Sequence, residues 1–176
     1  MTRELRIGIA VLVSLGLLVF GLLVIGNLGV VRPDLERTPV ADALAGGREP
    51  ADRYGRTALR LVGWYAELEA DCDGDTGGAD ATVAWLQRDC PLRVLLPEQP
   101  AEDATQRELE ADGIRLSAPR DNVFPSRAEP SGPNLQLQQL VFTGRFDDPR
   151  ASECVPERVE RCRNTFVVTD YDGLVR

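Results

Sequence analysis

Residues 7–31 form an uncharged run from Ile7 to Val31, and no other stretch constrains this chain as strongly. A helix rises about 1.5 Å per residue, so a run of this length reaches roughly 37 Å, enough to cross a hydrocarbon core of about 30 Å. A helix also pairs its own backbone groups, as lipid demands. The glycines inside the run, such as Gly16, Gly21 and Gly26, are common in spanning helices. A cleaved secretory leader has a shorter apolar core, about 7–15 residues, with a small-residue site close behind it. Here the nearest such site, Ala43-Leu44-Ala45, lies beyond Arg32, Asp34, Glu36, Arg37 and Asp42. The run therefore predicts a retained signal anchor, a single-pass transmembrane helix over 7–31 in the cytoplasmic membrane. Arg3 and Arg6 precede it and Arg32 and Arg37 follow, so the positive-inside rule adds little. A short stub stays inside more easily than a long remainder, which puts residues 1–6 in the cytoplasm and the rest outside.

That compartment decides how the four cysteines read. Outside the cytoplasm disulfides are the default. Cys72, Cys90, Cys154 and Cys162 lack the short C-x₂₋₄-C knuckle of a zinc site and the C-x-x-C of a redox pair. Two segments run in parallel. Leu61-Val62-Gly63-Trp64-Tyr65 leads through acidic residues to Cys72, and Phe142-Thr143-Gly144-Arg145-Phe146 does the same to Cys154. Each is followed by a loop, a second Cys and an apolar strand. Four cysteines allow three pairings. Cys72–Cys90 with Cys154–Cys162 is the expected set, because each bond then pins one hairpin loop.

Composition excludes more than it proposes. The chain has 20 Lys plus Arg against 28 Asp plus Glu, a net charge of −8, and no His. Every basic residue is Arg. Without His there is no Ser-His or Cys-His nucleophile and no imidazole metal site. Without Lys there is no Schiff base and no P-loop lysine. The acidic balance disfavours a nucleic-acid partner, whose phosphates repel it. A non-enzyme without a cofactor is the expectation.

Along the chain, residues 32–54 read as a flexible tether interrupted by Pro33, Pro39, Gly46, Gly47 and Pro50. Residues 55–176 read as the folded domain. Branched and aromatic runs at Ala58–Ala66, Leu92–Leu96, Leu135–Phe146 and Thr165–Tyr171 predict strands, with a short one at Ile114–Leu116. Ala101–Asp112 predicts a surface helix ending at Gly113. The phase slip between Leu137 and Leu140 predicts a β-bulge at Gln138-Gln139. Gly63 and Gly144 fall mid-strand, where glycine is costly unless the strand bends.

Strand, disulfide loop, strand, helix with short strand, then strand, disulfide loop, strand resembles the OB-fold, a five-stranded, partly open barrel. Phe142 to Pro149, with Cys154, Cys162 and Phe166-Val167-Val168, looks like the C-terminal hairpin of uncharacterised extracytoplasmic OB-like domains of single-span membrane proteins from high-GC bacteria. The resemblance implies a mainly β chain: an N-terminal transmembrane helix, then a small five-stranded OB-like barrel with one short helix and two disulfide-pinned hairpin loops. Periplasmic haem chaperones share the plan of one span and an OB-fold, but they attach haem through a histidine that this chain lacks.

Three smaller features bear on function. Asp71, Asp73 and Asp75 sit in an acidic stretch that suggests calcium, although Thr76 and Thr82 stand where an EF-hand needs Gly and Glu. Trp64 and Tyr65 are adjacent and point to opposite faces of a strand, so one is core and the other is a contact or packs under a loop. Trp85, inside the first disulfide loop, is a second candidate contact aromatic. The resulting expectation is a non-enzymatic, membrane-anchored binding or assembly module that meets an envelope or membrane protein. A carboxylate-based envelope enzyme and a calcium-dependent module are the alternatives.

Overall fold

The computed structural model describes residues 35–68, 82–101, 103–125 and 135–173. The strands are β1 (Arg37–Pro39), β2 (Leu59–Leu68), β3 (Leu92–Leu96), β4 (Ile114–Ser117), β5 (Leu135–Arg145) and β6 (Phe166–Gly173). The helices are α1 (Val40–Leu44), α2 (Pro50–Tyr54), α3 (Ala84–Gln87), α4 (Gln106–Asp112) and α5 (Val159–Asn164), with 3₁₀ turns at Asp121–Val123, Pro149–Glu153 and Pro156–Arg158.

The six strands form one mixed sheet in the order β1-β2-β3-β4-β6-β5, and a further pairing joins β5 back to β2. β1–β2 and β4–β6 are parallel and the other pairings antiparallel. β2 organises the arrangement. One of its edges pairs along its whole length with β5, from Leu59↔Gly144 to Leu68↔Leu135. Its other edge is divided, with Arg60–Val62 against β1 and Trp64–Leu68 against β3. Gly63 marks the handover. A Cβ there would stand 2.5 Å from the Leu96 carbonyl oxygen and 2.8 Å from Val40 Cγ2, so only glycine lets the three segments converge.

The main core lies on the face of β2 that carries Leu61 and Tyr65, with Leu95, Leu140, Phe142, Phe146 and Phe166 around them. Phe146 meets Phe166 edge-on at 5.0 Å and Tyr65 lies 5.4 Å from Phe142, ring arrangements that add to their burial. On the opposite face, Ala66, Leu92, Val94 and Leu96 are covered by Leu109 of α4. That helix starts where its cap allows. The Glu108 N–H donates to Thr105 Oγ1, and Glu108 Oε2 accepts from the Thr105 N–H at 2.8 Å, a reciprocal capping box. The third cluster gathers Leu86, Ala151 and Val167 around the disulfide Cys154–Cys162.

Several expectations are corrected. The expected five-stranded OB-like barrel with one short helix is replaced by a six-stranded mixed sheet with five short helices among the described residues. The extra strand arises within the segment read as a tether. Three residues are too few to show a strand period, and β1 exists only because β2 offers it a parallel edge. The rest of that segment is tied down as well. Val40, Ala43 and Ala51 are buried. The Ala51 N–H donates to Asn164 Oδ1 at 3.0 Å and Asp52 pairs with Arg163 at 2.8 Å, fixing α2 to α5. The bulge is also elsewhere. Gln138 and Gln139 pair regularly with Tyr65 and Trp64, and the register slips between Thr143 and Gly144. A Cβ on Gly144 would run into the Val167 carbonyl and lie 2.7 Å from the Phe166 ring. The helix expected over 101–112 begins only at Gln106.

The span expected over 7–31 lies outside the described residues. Among the described residues no helix is long and apolar enough to cross a membrane. The longest, α4, has seven residues. The anchored, single-pass assignment, its localisation and its membrane partner therefore find no support here and are set aside.

Candidate functional site

Three elements bring polar side chains together beside the main core. Tyr65 and Glu67 leave the same face of β2, and Glu67 stands opposite Arg93 of β3 in the ladder. The 3₁₀ turn Asp121–Val123 follows β4 and delivers Asp121 and Phe124 to the same place. The Tyr65 hydroxyl donates to Glu67 Oε2 in a short hydrogen bond. The same oxygen accepts from Arg93 Nε at 3.1 Å, and Arg93 Nη1 donates to Asp121 Oδ1 at 2.8 Å. The Arg93 guanidinium lies 4.3 Å from the centre of the Phe124 ring, a cation–π contact. Phe124 in turn stacks on Tyr65 at 6.4 Å.

Burial sets the electrostatics. Glu67 is 5% exposed, a carboxylate that needs charge-assisted partners to remain inside. Burial, reinforced by the Glu67 charge, pushes the Tyr65 phenol well above its ordinary value, so it stays a hydrogen-bond donor. Burial works against the Arg93 charge too, but the hydrogen bond it donates to Asp121 and the Glu67 charge outweigh it and hold the guanidinium more firmly protonated than usual.

These groups open onto a cavity of about 400 Å³ lined by Glu67, Arg93, Asp121, Phe124, Pro125 and Tyr171. Glu67 forms its inner end and Asp121, 63% exposed, its rim. The lining carries two carboxylates against one guanidinium, with an aromatic wall. No group of three His, Cys, Asp or Glu that could hold a metal occurs among the described residues.

The residues singled out from the sequence lie elsewhere. Asp71, Asp73 and Asp75 fall outside the described residues, and so does Cys72. Nothing here supports the calcium-dependent reading. Cys154 and Cys162 are bonded to each other, and Cys90 is disulfide-bonded. Trp64 is half-buried and packs against the cluster that Ala66, Leu92 and Leu109 belong to, while Tyr65 is core. Trp85 packs on the disulfide cluster, donates its indole N–H to the Thr82 carbonyl at 3.0 Å and has Arg150 above its ring at 5.9 Å. The Tyr65–Glu67–Arg93 network was hidden because Glu67 begins the acidic stretch of 67–80 and reads as loop charge. A signal existed: Glu67 is in phase with Tyr65 and Leu61 along the strand.

No protein-family model, curated protein or solved structure matches the chain. The resemblance to OB-like domains of single-span proteins thus has neither a match nor the expected strand count behind it, and it is withdrawn. The membrane-anchored assembly module and the carboxylate-based enzyme lose their basis with it. The two carboxylates at the cavity are joined through one guanidinium rather than facing each other across a cleft.

Proposed function

We propose that residues 35–173 form a non-catalytic recognition domain. Its cavity beside Arg93 takes a small ligand with a flat apolar body and a positively charged, hydrogen-bond-donating head. The observation that carries the reading is the position of Asp121. One of its oxygens serves Arg93, while the side chain stays largely exposed at the rim of a cavity whose lining charges sum to −1. Arg88 approaches the other oxygen only to 3.8 Å, too far for a hydrogen bond. Phe124, Pro125 and Tyr171 supply apolar wall for the body of such a ligand. The net charge of −8 draws cations toward the domain. The non-catalytic part rests on the chemistry around the cavity: both lining carboxylates are engaged by Arg93, and the Tyr65 phenol, buried beside Glu67, is held protonated.

Calorimetric titration with benzylamine and with benzyl alcohol tests this reading. Saturable binding of the amine is expected, weaker by about tenfold in Asp121→Asn, the value of one charge-assisted hydrogen bond. Equal binding of the neutral alcohol, or an amine affinity unchanged by the substitution, would sink it.

A further inference from the structure

A second polar cluster lies around Asp89, just ahead of β3. Asp89 Oδ1 accepts from Arg115 Nη2 at 2.7 Å and is ion-paired with Arg161 Nη1 at 2.9 Å. Oδ2 accepts from Arg161 Nη2 at 3.3 Å and is ion-paired with Arg158 Nη1 at 3.2 Å. Asp89 alone thus faces three guanidiniums, each of which carries five donors. Arg115 has a second acid, Glu110, at 3.1 Å. Arg158 and Arg161 have no second acid among the described residues, and their side chains are 34% and 38% exposed. Beyond Asp89 they reach only the Gln87 carbonyl, at 2.9 and 3.5 Å. Three Arg against Asp89 and Glu110 leave a local surplus of one positive charge in a chain whose net charge is −8.

Gln87 adds an independent observation. Its side chain is 4% exposed, and its Oε1 accepts from the Val155 N–H at 3.4 Å, in the segment that carries Arg158. Its Nε2 is buried with no hydrogen-bond partner. Leaving such a donor unsatisfied costs about 1–3 kcal/mol. The surplus guanidinium donors call for an acceptor-rich, negatively charged group, and the orphaned amide belongs to the residue whose carbonyl they contact.

We propose that Arg158 and Arg161, backed by Arg115 and Asp89, form a binding site for an oxyanion of the phosphate type. Asp89 holds the guanidiniums apart and oriented, and the outward N–H groups of Arg158 and Arg161 take two oxygens of the anion. Guanidinium planes suit this geometry, because each presents parallel donors to paired oxygens. The anion supplies the charge the cluster lacks. A free phosphate ion and a phosphomonoester on a larger molecule present the same chemistry.

The test is a titration of the purified protein with sodium phosphate and with phenyl phosphate, followed by thermal unfolding and calorimetry against sodium chloride of equal ionic strength. Saturable binding of either phosphate over chloride is expected. Tighter phenyl phosphate points to a group carried on a larger molecule, and tighter inorganic phosphate to the free ion. Arg158→Gln is expected to weaken binding by about tenfold or more with the circular dichroism unchanged, because Arg115 and Arg161 still hold Asp89. The double variant Arg158→Gln with Arg161→Gln is expected to abolish it. The proposal is overturned if neither phosphate gives a saturable response beyond chloride, or if the response survives in Arg158→Gln undiminished.

Discussion

Tyr65 and Glu67 lie two residues apart on β2, so their side chains leave the same face of the sheet. One is an aromatic 1% exposed and the other an acid 5% exposed. A charge at that depth is tolerable only with donors around it, and Tyr65 and Arg93 both serve Glu67 Oε2. Tyr65→Phe keeps the ring and removes one donor, so it is expected to lower the unfolding free energy by about 1–3 kcal/mol. Arg93→Met removes a guanidinium countercharge from the buried acid and is expected to cost more, about 3–5 kcal/mol. Urea unfolding reads both. A Tyr65→Phe midpoint equal to that of the parent would show that Glu67 does not depend on the phenol. In sequence Glu67 is indistinguishable from Glu69 and Asp71, its neighbours in an acidic run. What separates it is being in phase with Leu61 and Tyr65, which counts only once the strand is known to extend to Leu68.

Asp89 acts at the level of elements, since its guanidinium partners come from β4, the turn Pro156–Arg158 and α5. Burial alone would raise its carboxyl pKa. Arg115, Arg161 and Arg158 more than reverse this and hold the group below the ordinary carboxyl range. A carboxylate whose folded pKa is depressed contributes stability above its unfolded pKa, about 4, and loses that contribution as pH falls through the lower folded value. Asp89→Asn is therefore expected to cost about 1–3 kcal/mol at neutral pH, as charge-assisted hydrogen bonds do. The gap from the parent protein narrows in acid below about pH 4. Urea midpoints measured across pH check this, and a gap independent of pH would refute the carboxylate's role. Legibility also divides by element. β3 was readable to the residue because Leu92–Leu96 is a short branched run stopped by Pro97, and β2, β5 and β6 were readable within a few residues. β1 was not, because its ordering comes from the edge of β2, a partner distant in sequence. The bulge was misplaced because the slip in apolar phase at Gln138 does not disturb pairing with Tyr65, whereas the crowding of Gly144 against Val167 and Phe166 does.

At the scale of the molecule, Leu35–Tyr54 belongs to the folded body. Val40, Ala43 and Ala51 share the main cluster with Leu61 and Leu95. A chain beginning at Gly55 would expose those contacts and is expected to lose at least about 3 kcal/mol of stability, with an earlier urea midpoint and increased binding of a hydrophobic dye. An unchanged midpoint would return the segment to the status of a tether. The candidate cavity was not legible at this scale either, since Glu67, Arg93 and Asp121 are far apart in sequence and are joined only through the β2–β3 ladder and the turn after β4.

The divided edge of β2 has one more effect. Because β1 and β3 share one side and β5 takes the other, β2 is paired along both edges, whereas β6 meets β4 only at Phe166 and Val167. An incoming peptide thus cannot extend β2. The outer side of β1 is three residues long, begins with a charged Arg37 and ends at Pro39, which has no N–H to give. Short length, charge and proline are the devices that discourage cross-chain sheet growth. The long strand at the centre of the fold is thereby withheld from strand exchange between copies.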